Sequence, residues 1–416
     1  MTGRRIAVIG SGISGLTAGY ILSRTDRVTL FEADDRLGGH AHTHLVGGRQ
    51  LPVDTGFIVY NERTYPLLTR LFAELGVTTR ASEMSMSVTC SGCGVRYAGK
   101  RGLAGLAAGV TGGGVRYLRM LTEVPRFHRA ARRVLESGTF GDLPVGEFLR
   151  AGGYSRYFGI HFVIPLIAAV WSCPPGAALD YPAGYLFAFL ANHGMLSVTG
   201  SPQWRTVRGG SRCYVERIAA RLDDVRMASP VRSVRRHPDG VAIMDAGGAE
   251  TEFDAAVIAT HPDQALSLLE APTEAEKQVL GAIGYTTSQA VLHTDSRLLP
   301  ASAAVRASWN YALTCRPASA AGARISYHLN RLQGLPPEPD YIVTLGRQHE
   351  VDPELVVASM DYAHPAYTRE SVAAQRRLPE LNTPVTAFAG AYHGWGFHED
   401  GCRSGLAAAR ALGGSW

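Results

Sequence analysis

The sequence feature that most constrains the fold is a glycine motif near the start of the chain. An apolar strand-like run ends at Gly10, Gly12 and Gly15 follow, and an apolar helical run comes next. Gly10 permits a tight turn, Gly12 lets a pyrophosphate approach the backbone, and Gly15 lets helix and strand pack closely. A second strand-like run ends at Glu32, where a carboxylate can accept hydrogen bonds from ribose hydroxyls. The motif predicts a dinucleotide-binding βαβ unit, although the same pattern also occurs in units that bind nothing.

The composition predicts a soluble globular protein of two or three domains. The chain has 416 residues, 46% of them hydrophobic, a mean hydropathy of −0.01 and a net charge of +5. Its longest apolar run, residues 162–171, is too short to span a bilayer. Because no signal peptide is recognised and the six cysteines form no disulfide-like framework, we expect a cytoplasmic protein.

Further motifs carry a resemblance to a known family. Arg36 precedes Gly38 and Gly39, which predicts a second backbone cradle with a cation able to meet a phosphate, and Asp54-x-Gly56 follows a strand-like stretch. With the first glycine motif and its acid, these segments resemble the flavin-containing amine oxidase superfamily. That group includes monoamine and polyamine oxidases, protoporphyrinogen oxidase and phytoene-type desaturases.

A narrower resemblance rests on residues 40–43 and 57–61. They are similar to a bacterial group of predicted flavoproteins that resemble the flavin domain joined to some plant cyclopropane fatty acid synthases. The resemblance implies FAD as the cofactor and an oxidoreductase as the activity.

The closing segment of the chain favours FAD over NAD. A buried strand is predicted to end at Gly390 and a helix to begin near Gly401, whose amino terminus suits the electron-rich edge of a reduced flavin. The adenine-side backbone contact of the family falls near Val231 by position alone. The implied FAD-binding residues are Gly10, Gly12, Ile13, Ser14, Gly15, Glu32, Ala33, Arg36, Gly38, Gly39, His40, Thr55, Gly56, Phe57, Val231, Gly390, His398, Glu399, Asp400 and Gly401.

The predicted fold combines α/β and α+β architecture. We expect a Rossmann-like FAD-binding domain, with a parallel sheet and a β-meander, and an inserted substrate domain of antiparallel sheet and helices. The FAD-binding domain is expected from residues 1–65, 205–262 and 381–416, and the substrate-binding domain from residues 66–204 and 263–380.

Aromatic residues with few charges between them are concentrated in residues 154–204. This composition suits the wall of a large apolar pocket and equally suits an ordinary helical core. The residues predicted to contact a substrate are Tyr60, Trp171, Phe189, Trp204 and Trp395.

Two segments of the middle region allow more than one interpretation. Glycine- and alanine-rich residues 102–114 predict a loop or flexible joint, followed by a helix over 116–135. Its arginines favour a solvated face, with peripheral contact to anionic lipid head groups at the inner face of the membrane as the alternative. Cys90-x-x-Cys93 resembles a zinc or redox motif, but without a second such pair a hairpin turn is favoured and no metal is expected. Nucleic acid is not an expected partner, and the sequence does not predict an oligomeric state.

Two substrate classes compete. A bound flavin accepts a hydride at N5, so the substrate needs a C–H bond that can supply one. Amine oxidases commonly use a lysine near N5, whereas no lysine follows Lys277, which lies in a polar, solvent-facing helical pattern. The aromatic middle and the narrower resemblance favour oxidation or desaturation of an apolar, lipid-like fatty acyl substrate. The alternatives are a flavin amine oxidase acting on a small amine or biosynthetic intermediate, and a non-redox lipid-binding escort protein.

Histidines supply the candidate acid–base groups. Because the pKa of histidine lies near neutrality, one of them could take the second proton of the substrate. His40, His42, His393 and His398 are the candidates, and each could instead hydrogen-bond locally. His393 and His398 are favoured as catalytic residues, because the resemblance puts their segment beside the flavin.

Overall fold

The computed structural model describes residues 3–99, 102–138, 142–171, 173–197, 200–315 and 322–416. The strands in chain order are β1 (Arg5–Ile9), β2 (Arg27–Phe31), β3 (Thr43–Val46), β4 (Leu51–Asp54), β5 (Tyr60–Asn61), β6 (Thr79–Ala81), β7 (Met86–Cys90), β8 (Arg96–Gly99), β9 (Trp204–Val207), β10 (Asp224–Arg226), β11 (Val231–His237), β12 (Gly240–Asp245), β13 (Glu250–Phe253), β14 (Ala255–Ile258), β15 (Tyr285–His293), β16 (Trp309–Leu313), β17 (Arg324–His328), β18 (Ile342–Leu345), β19 (Val356–Pro365) and β20 (Thr386–Phe388).

Helices connect and cover these strands. They are α1 (Ile13–Leu22), α2 (Pro66–Leu75), α3 (Gly102–Ser137), α4 (Val145–Ala151), α5 (Arg156–Phe158), α6 (Ile164–Trp171), α7 (Ala183–Asn192), α8 (Arg212–Ala219), α9 (Pro262–Leu268), α10 (Glu274–Gly281), α11 (Leu329–Gln333), α12 (Arg369–Gln375) and α13 (His398–Ala411). A π-helical turn, Gly159–Val163, joins α5 to α6.

The predicted parallel sheet is confirmed. Its strand order is β10-β2-β1-β14-β20, and neighbouring strands run parallel. Successive residues of β1 point to opposite faces, so Ile6 and Val8 pack in one apolar core and Ala7 and Ile9 in another. Both faces are therefore buried, as expected of a doubly wound α/β sheet. The predicted β-meander is the sheet of β11, β12 and β13.

The last helix, α13, lies directly against α1. A Cβ atom at Gly401 would overlap Ile13, and one at Gly405 would overlap the carbonyl oxygen of Ser14. The glycines thus let the two helices approach closely, which brings the closing segment of the chain beside the first glycine motif. The helix begins at His398 rather than near Gly401.

A second sheet has seven strands in the order β19-β15-β18-β17-β16-β7-β8. It is antiparallel as predicted, except that β7 and β16 pair in parallel. Parallel pairing is allowed there because the two strands are joined by a long connection rather than a hairpin. The helices α3 to α7 pack with this sheet in one large apolar core.

The loop predicted over residues 102–114 is wrong. These residues form the first part of α3, whose backbone turns sharply at Gly114 with φ 52° and ψ −139°. Glycine tolerates this left-handed conformation, so the glycines mark a kink between two helical segments rather than a loop. The arginines of the second segment are exposed: Arg116, Arg119, Arg126, Arg129, Arg132 and Arg133. Their contact with a bilayer stays a prediction, and none of the described helices is long and apolar enough to cross one.

Candidate functional site

A cavity of about 1010 Å³ extends from the carboxyl edge of the parallel sheet to the seven-stranded sheet and the aromatic residues of the helices that cover it. Such an edge is where ligands bind in open α/β sheets. Of the residues predicted to bind the cofactor, the structure brings the following to the wall of this cavity: Gly10, Gly12, Ile13, Ser14, Glu32, Ala33, Arg36, Gly39, His40, Thr55, Gly56, Phe57, Val231, Gly390 and His398.

The amino terminus of α1 leaves open space of the kind that a phosphate needs. No side chain caps this helix, so its first N–H groups face the cavity. A Cβ atom at Gly12 would meet nothing within 4 Å, whereas one at Gly15 would overlap the carbonyl oxygen of Gly10. Gly15 therefore serves close packing, and Gly12 borders space that a ligand can fill. This arrangement fits a pyrophosphate at the positive end of the helix dipole.

Glu32 is held in place from two sides. Its Oε2 accepts hydrogen bonds from the N–H of Ser11 at 2.9 Å and from the Ser11 hydroxyl, and its Oε1 accepts one from the N–H of Asp34 at 3.0 Å. The same hydroxyl accepts a hydrogen bond from the N–H of Gly38 at 2.9 Å. Ser11 thus joins the two glycine motifs, a role that the sequence analysis missed. Gly38 itself does not line the cavity and acts through this contact.

The middle of the cavity wall contains an arginine and a pair of stacked aromatic rings. Arg36 donates a hydrogen bond to the carbonyl oxygen of Gly39 at 2.9 Å, which holds its guanidinium at the cavity wall. The rings of Phe57 and His398 stack with centroids 3.6 Å apart, and His398 Nε2 hydrogen-bonds the hydroxyl of Tyr214 at 2.9 Å. Burial lowers the pKa of His398 to about 3, so this ring is neutral at physiological pH.

Three residues predicted from the closing segment lie behind the cavity wall. The carboxylate of Glu399 accepts hydrogen bonds from the N–H groups of Leu67 and Leu68, each at 3.0 Å, at the start of α2. Asp400 accepts a hydrogen bond from the N–H of Phe397 at 3.1 Å, which caps its own helix and explains why α13 starts before Gly401. Gly401 packs on α1. The structure thus shows structural contacts at all three positions.

The capping role of Glu399 gives a direct prediction. We expect Glu399→Ala to lower the free energy of unfolding by about 1–3 kcal/mol, because two buried N–H groups lose their acceptor. The affinity of the folded variant for FAD should stay unchanged, since the carboxylate faces α2 rather than the cavity. Urea denaturation and an FAD titration measure the two quantities. A large loss of FAD affinity at unchanged stability would show that Glu399 binds the cofactor and would contradict the structural role.

The other residues predicted near the flavin or substrate but found outside the wall are Tyr60, Trp395, His393 and His42, the last of which hydrogen-bonds the hydroxyl of Tyr362 at 3.1 Å. Tyr60 packs against Phe72 at 5.3 Å between centroids, in the core below α2. Trp395 stands one step behind the wall, where its carbonyl oxygen accepts a hydrogen bond from Trp171 Nε1 at 3.0 Å. His393 is enclosed beside Tyr392, and burial lowers its pKa to about 4.

The sequence analysis missed a second group of polar rings on the cavity wall. His261 stacks on Tyr285 with centroids 4.1 Å apart, and His364 lies 5.1 Å from His40 between centroids. His40 Nε2 and His364 Nδ1 are buried without a hydrogen-bond partner among the described residues. Unpartnered buried nitrogens at a cavity are available to bond a polar ligand or an ordered water. His261 had a usable signal, since it directly follows a buried parallel strand, whereas His364 had none.

These buried histidines predict a loss of stability in acid. Burial lowers the pKa of His364 and of His393 to about 4, whereas histidine in the unfolded chain titrates near its ordinary value of about 6.5. Between these two values the unfolded chain binds protons that the folded chain does not, so stability falls as pH drops from about 6.5 to about 4. We expect His393→Gln to reduce this fall by up to about 3 kcal/mol, measured by urea denaturation of the apoprotein at stepped pH. An identical pH slope in wild type and variant would contradict the assignment.

The far end of the cavity is aromatic and apolar. The predicted residues Trp171, Phe189 and Trp204 line it. The rings of Trp171 and Phe189 lie 4.7 Å apart between centroids, and Trp171 is fixed by its hydrogen bond to the segment before α13. The wall also includes Phe162, Leu166, Val170, Met195, Trp309 and Tyr327. The aromatic residues of 154–204 therefore have both of the roles considered from the sequence: some form the helical core and others form the wall of the pocket.

Comparison with known proteins identifies the family. The model of the family described as flavin containing amine oxidoreductase matches residues 13–305, more than half of the chain. Among curated proteins, coproporphyrinogen III oxidase of Mycobacterium leprae is 28% identical over 288 residues, which are 65% of this chain and 62% of that protein. The chain thus spans less than two thirds of that relative's length.

Solved structures share the fold at low sequence identity. A putrescine oxidase variant superposes with a TM-score of 0.69 at 16% identity, over 99% of both chains. A fatty acid isomerase from P. acnes, described as CLA-producing, gives a TM-score of 0.68 at 16% identity, over 97% of both chains. At this identity the likeness shows the fold alone. The family match and a cavity wall suited to a dinucleotide agree, and the chain belongs to the flavin containing amine oxidoreductases.

Proposed function

We propose that the protein oxidises or desaturates an apolar, lipid-like substrate with a fatty acyl chain. The observation that carries this proposal is the charge distribution along the cavity. Among the described lining residues, the acidic and basic side chains other than histidine are Glu32, Asp34, Arg36 and Asp361. The first three lie at the dinucleotide end and Asp361 is exposed, so within the described part of the chain the aromatic end offers no charge partner. Such a wall favours an uncharged hydrocarbon chain.

The same wall disfavours the substrates of the amine class. An ammonium group would need a carboxylate or a lysine-assisted site close to the reacting carbon. Lys277 is exposed on α10 and pairs with Glu274 at 2.7 Å, so it cannot reach the cavity. A tetrapyrrole with several carboxylates would likewise need cations at the aromatic end.

The chain's own residues would orient the substrate and accept the proton that it loses. FAD, when bound, accepts a hydride equivalent from a substrate C–H bond. Trp171 and Phe189 would pack on the acyl chain and exclude water from the reacting carbon. Removal of the second proton needs a neutral imidazole within reach. His398 lines the cavity but is already bonded to Tyr214, whereas His364 has a buried ring nitrogen without a partner in the described ranges. His393 has such a nitrogen too but does not line the cavity, so we favour His364 over His393 as the proton acceptor.

Anaerobic reduction of the bound flavin tests the substrate class. The holoprotein is mixed without oxygen with unsaturated fatty acyl phospholipid, with putrescine and with a porphyrinogen, and loss of the flavin absorbance is followed. We expect bleaching with the acyl substrate alone. Bleaching with putrescine or the porphyrinogen, and none with acyl chains, would refute the proposal in favour of the amine or tetrapyrrole class.

A charge placed on the apolar wall should lower the affinity for the acyl substrate and leave the affinity for FAD unchanged. We expect Val170→Asp to weaken acyl binding by about 10-fold or more, because a carboxylate would have to be desolvated beside the chain. The matched control is Val357→Asp, an exposed position on β19. Ligand titration monitored by flavin fluorescence measures both. Equal acyl affinity in the two variants, with FAD retained, would show that the acyl chain does not occupy this end.

A further inference from the structure

Three cysteines and a histidine from distant parts of the chain meet at one end of the seven-stranded sheet. The sulfur atoms of Cys90, Cys93 and Cys315 and a ring nitrogen of His161 all lie within 4.8 Å of one another. Cys90 and His161 are buried, and Cys93 and Cys315 are partly buried. The cysteine pair that the sequence analysis treated as a turn is therefore completed by two ligands that no local pattern revealed.

The turn between β7 and β8 presents the first two sulfur atoms. Cys90 ends β7 and Cys93 follows across the turn, where Gly94 has a positive φ of 78°. The N–H of Gly94 donates a hydrogen bond to the carbonyl oxygen of Cys90 at 2.9 Å, which closes the turn. A tight turn of this kind holds both thiol groups toward one point, as a metal-binding Cys-x-x-Cys turn requires.

Cys315 reaches the same point because of strand pairing. β16 runs parallel to β7 with Leu313 opposite Cys90, and the N–H of Ser91 donates a hydrogen bond to the carbonyl oxygen of Leu313 at 3.0 Å. Cys315, two residues after Leu313, therefore lies above the turn between β7 and β8. A Cβ atom at Gly92 would lie 2.9 Å from the sulfur of Cys315, so a side chain there would push this sulfur away.

The fourth ligand is oriented by its surroundings. His161 lies in the π-helical turn Gly159–Val163, and its Nδ1 hydrogen-bonds the carbonyl oxygen of Tyr157 at 3.0 Å. The other ring nitrogen, Nε2, faces the sulfur of Cys93 at 3.4 Å. A backbone carbonyl on one nitrogen fixes the tautomer whose second nitrogen is free to bind a metal, a common feature of zinc-ligating histidines. π-Helical turns are rare and are frequent at functional sites.

We propose that Cys90, Cys93, His161 and Cys315 bind one zinc ion in a closed Cys₃His site. Thiolate and imidazole ligands in a set of four match the tetrahedral preference of zinc, and four protein ligands leave no open position for a substrate. A disulfide would use two of the three sulfur atoms and leave the third and the imidazole unexplained. The site is structural: it would fasten β7, β16 and the turn before α6 to one another.

The zinc site would thereby shape the substrate end of the cavity. Val88 and Tyr97 of the hairpin line the cavity, as does Phe162, the residue after His161. Tyr97 also donates a hydrogen bond to the carbonyl oxygen of His161 at 2.7 Å. Loss of the metal should therefore loosen this wall while the dinucleotide end keeps its structure.

Metal analysis of the purified holoprotein tests the proposal. The untagged protein is expressed with zinc supplementation and purified without chelators, and we expect about one zinc per chain by elemental mass spectrometry. Cys315→Ser should lose the zinc and keep FAD, whereas Cys213→Ser, a partly buried cysteine outside the cluster, should keep both. Wild-type protein without zinc, or zinc retained undiminished in Cys315→Ser, would overturn the proposal.

Cobalt substitution keeps the test decisive if Cys315→Ser does not fold. Wild-type protein expressed with cobalt should show tetrahedral d–d absorption bands at wavelengths longer than those of the flavin. Absence of these bands from a protein that contains no other metal, or a Cys90–Cys93 disulfide found by peptide mass spectrometry in the freshly purified protein, would refute the zinc site.

Discussion

Replacing Gly12 by valine is expected to weaken FAD binding by about 100-fold or more, which is about 3 kcal/mol. The backbone at this position has φ −63° and ψ 171°, a conformation that valine adopts readily. Apart from the chain neighbours, no atom of the described residues lies within 4 Å of the position of the new Cβ, so the side chain would extend into the space in front of α1. That space is where the pyrophosphate must meet the free N–H groups of the helix.

The design separates ligand exclusion from misfolding. Gly48→Val is the matched control, because a Cβ atom there also meets nothing within 4 Å and the position is remote from the cavity wall. We expect both apoproteins to unfold within about 0.5 kcal/mol of wild type, since at neither position does the new Cβ lie within 4 Å of a described residue other than its chain neighbours. Isothermal titration with FAD gives the affinities. Wild-type affinity in Gly12→Val would mean that the pyrophosphate does not lie against α1.

The largest effect on stability is expected from Asp54→Ala. The buried carboxylate accepts hydrogen bonds from the hydroxyl of Thr43 at 2.5 Å and from the N–H and hydroxyl of Ser211 at 2.9 and 2.8 Å. These contacts join β3 and β4 to the start of α8. Removing the acceptor leaves the buried N–H of Ser211 unsatisfied and the two hydroxyls with only each other, at 3.2 Å, which should cost about 3–5 kcal/mol.

Urea denaturation of the apoprotein measures this cost. Asp239→Ala, in the exposed turn between β11 and β12, is the control and should stay within about 0.5 kcal/mol of wild type. Asp54→Asn should recover only part of the loss, because all three hydrogen bonds end on Oδ1 and a neutral amide oxygen accepts them less strongly than a carboxylate oxygen. A loss below about 1 kcal/mol for Asp54→Ala would show that water replaces the carboxylate easily.

The parts of the fold that could be predicted are those with local signals. The glycine motif, the acid that follows it and the fully buried strand of residues 255–258 can each be recognised from a few consecutive residues. The same holds for the meander, whose alternation and turns are visible in the sequence. The cofactor and the enzyme family followed from these motifs and are confirmed by the comparisons.

The residues that sequence reasoning misplaced owe their positions to distant contacts. Glu399 looked like a cofactor ligand because of its place in the family motif, yet its partners are N–H groups more than 300 positions earlier, at Leu67 and Leu68. His161 and Cys315 meet the hairpin only through helix packing and a parallel strand pair. Neither contact produces a periodic pattern in the sequence, so the sequence analysis favoured a turn at Cys90 and Cys93 over a zinc or redox motif.

The central claim is that one cavity receives FAD at its glycine end and an apolar chain at its aromatic end. The most direct test is a crystal structure of the holoprotein with a long-chain fatty acyl ligand. The account predicts FAD density from Gly12 to His398 and acyl density against Trp171 and Phe189, with the reacting carbon between them. Acyl density outside the cavity, or a polar ligand occupying the aromatic end, would contradict it.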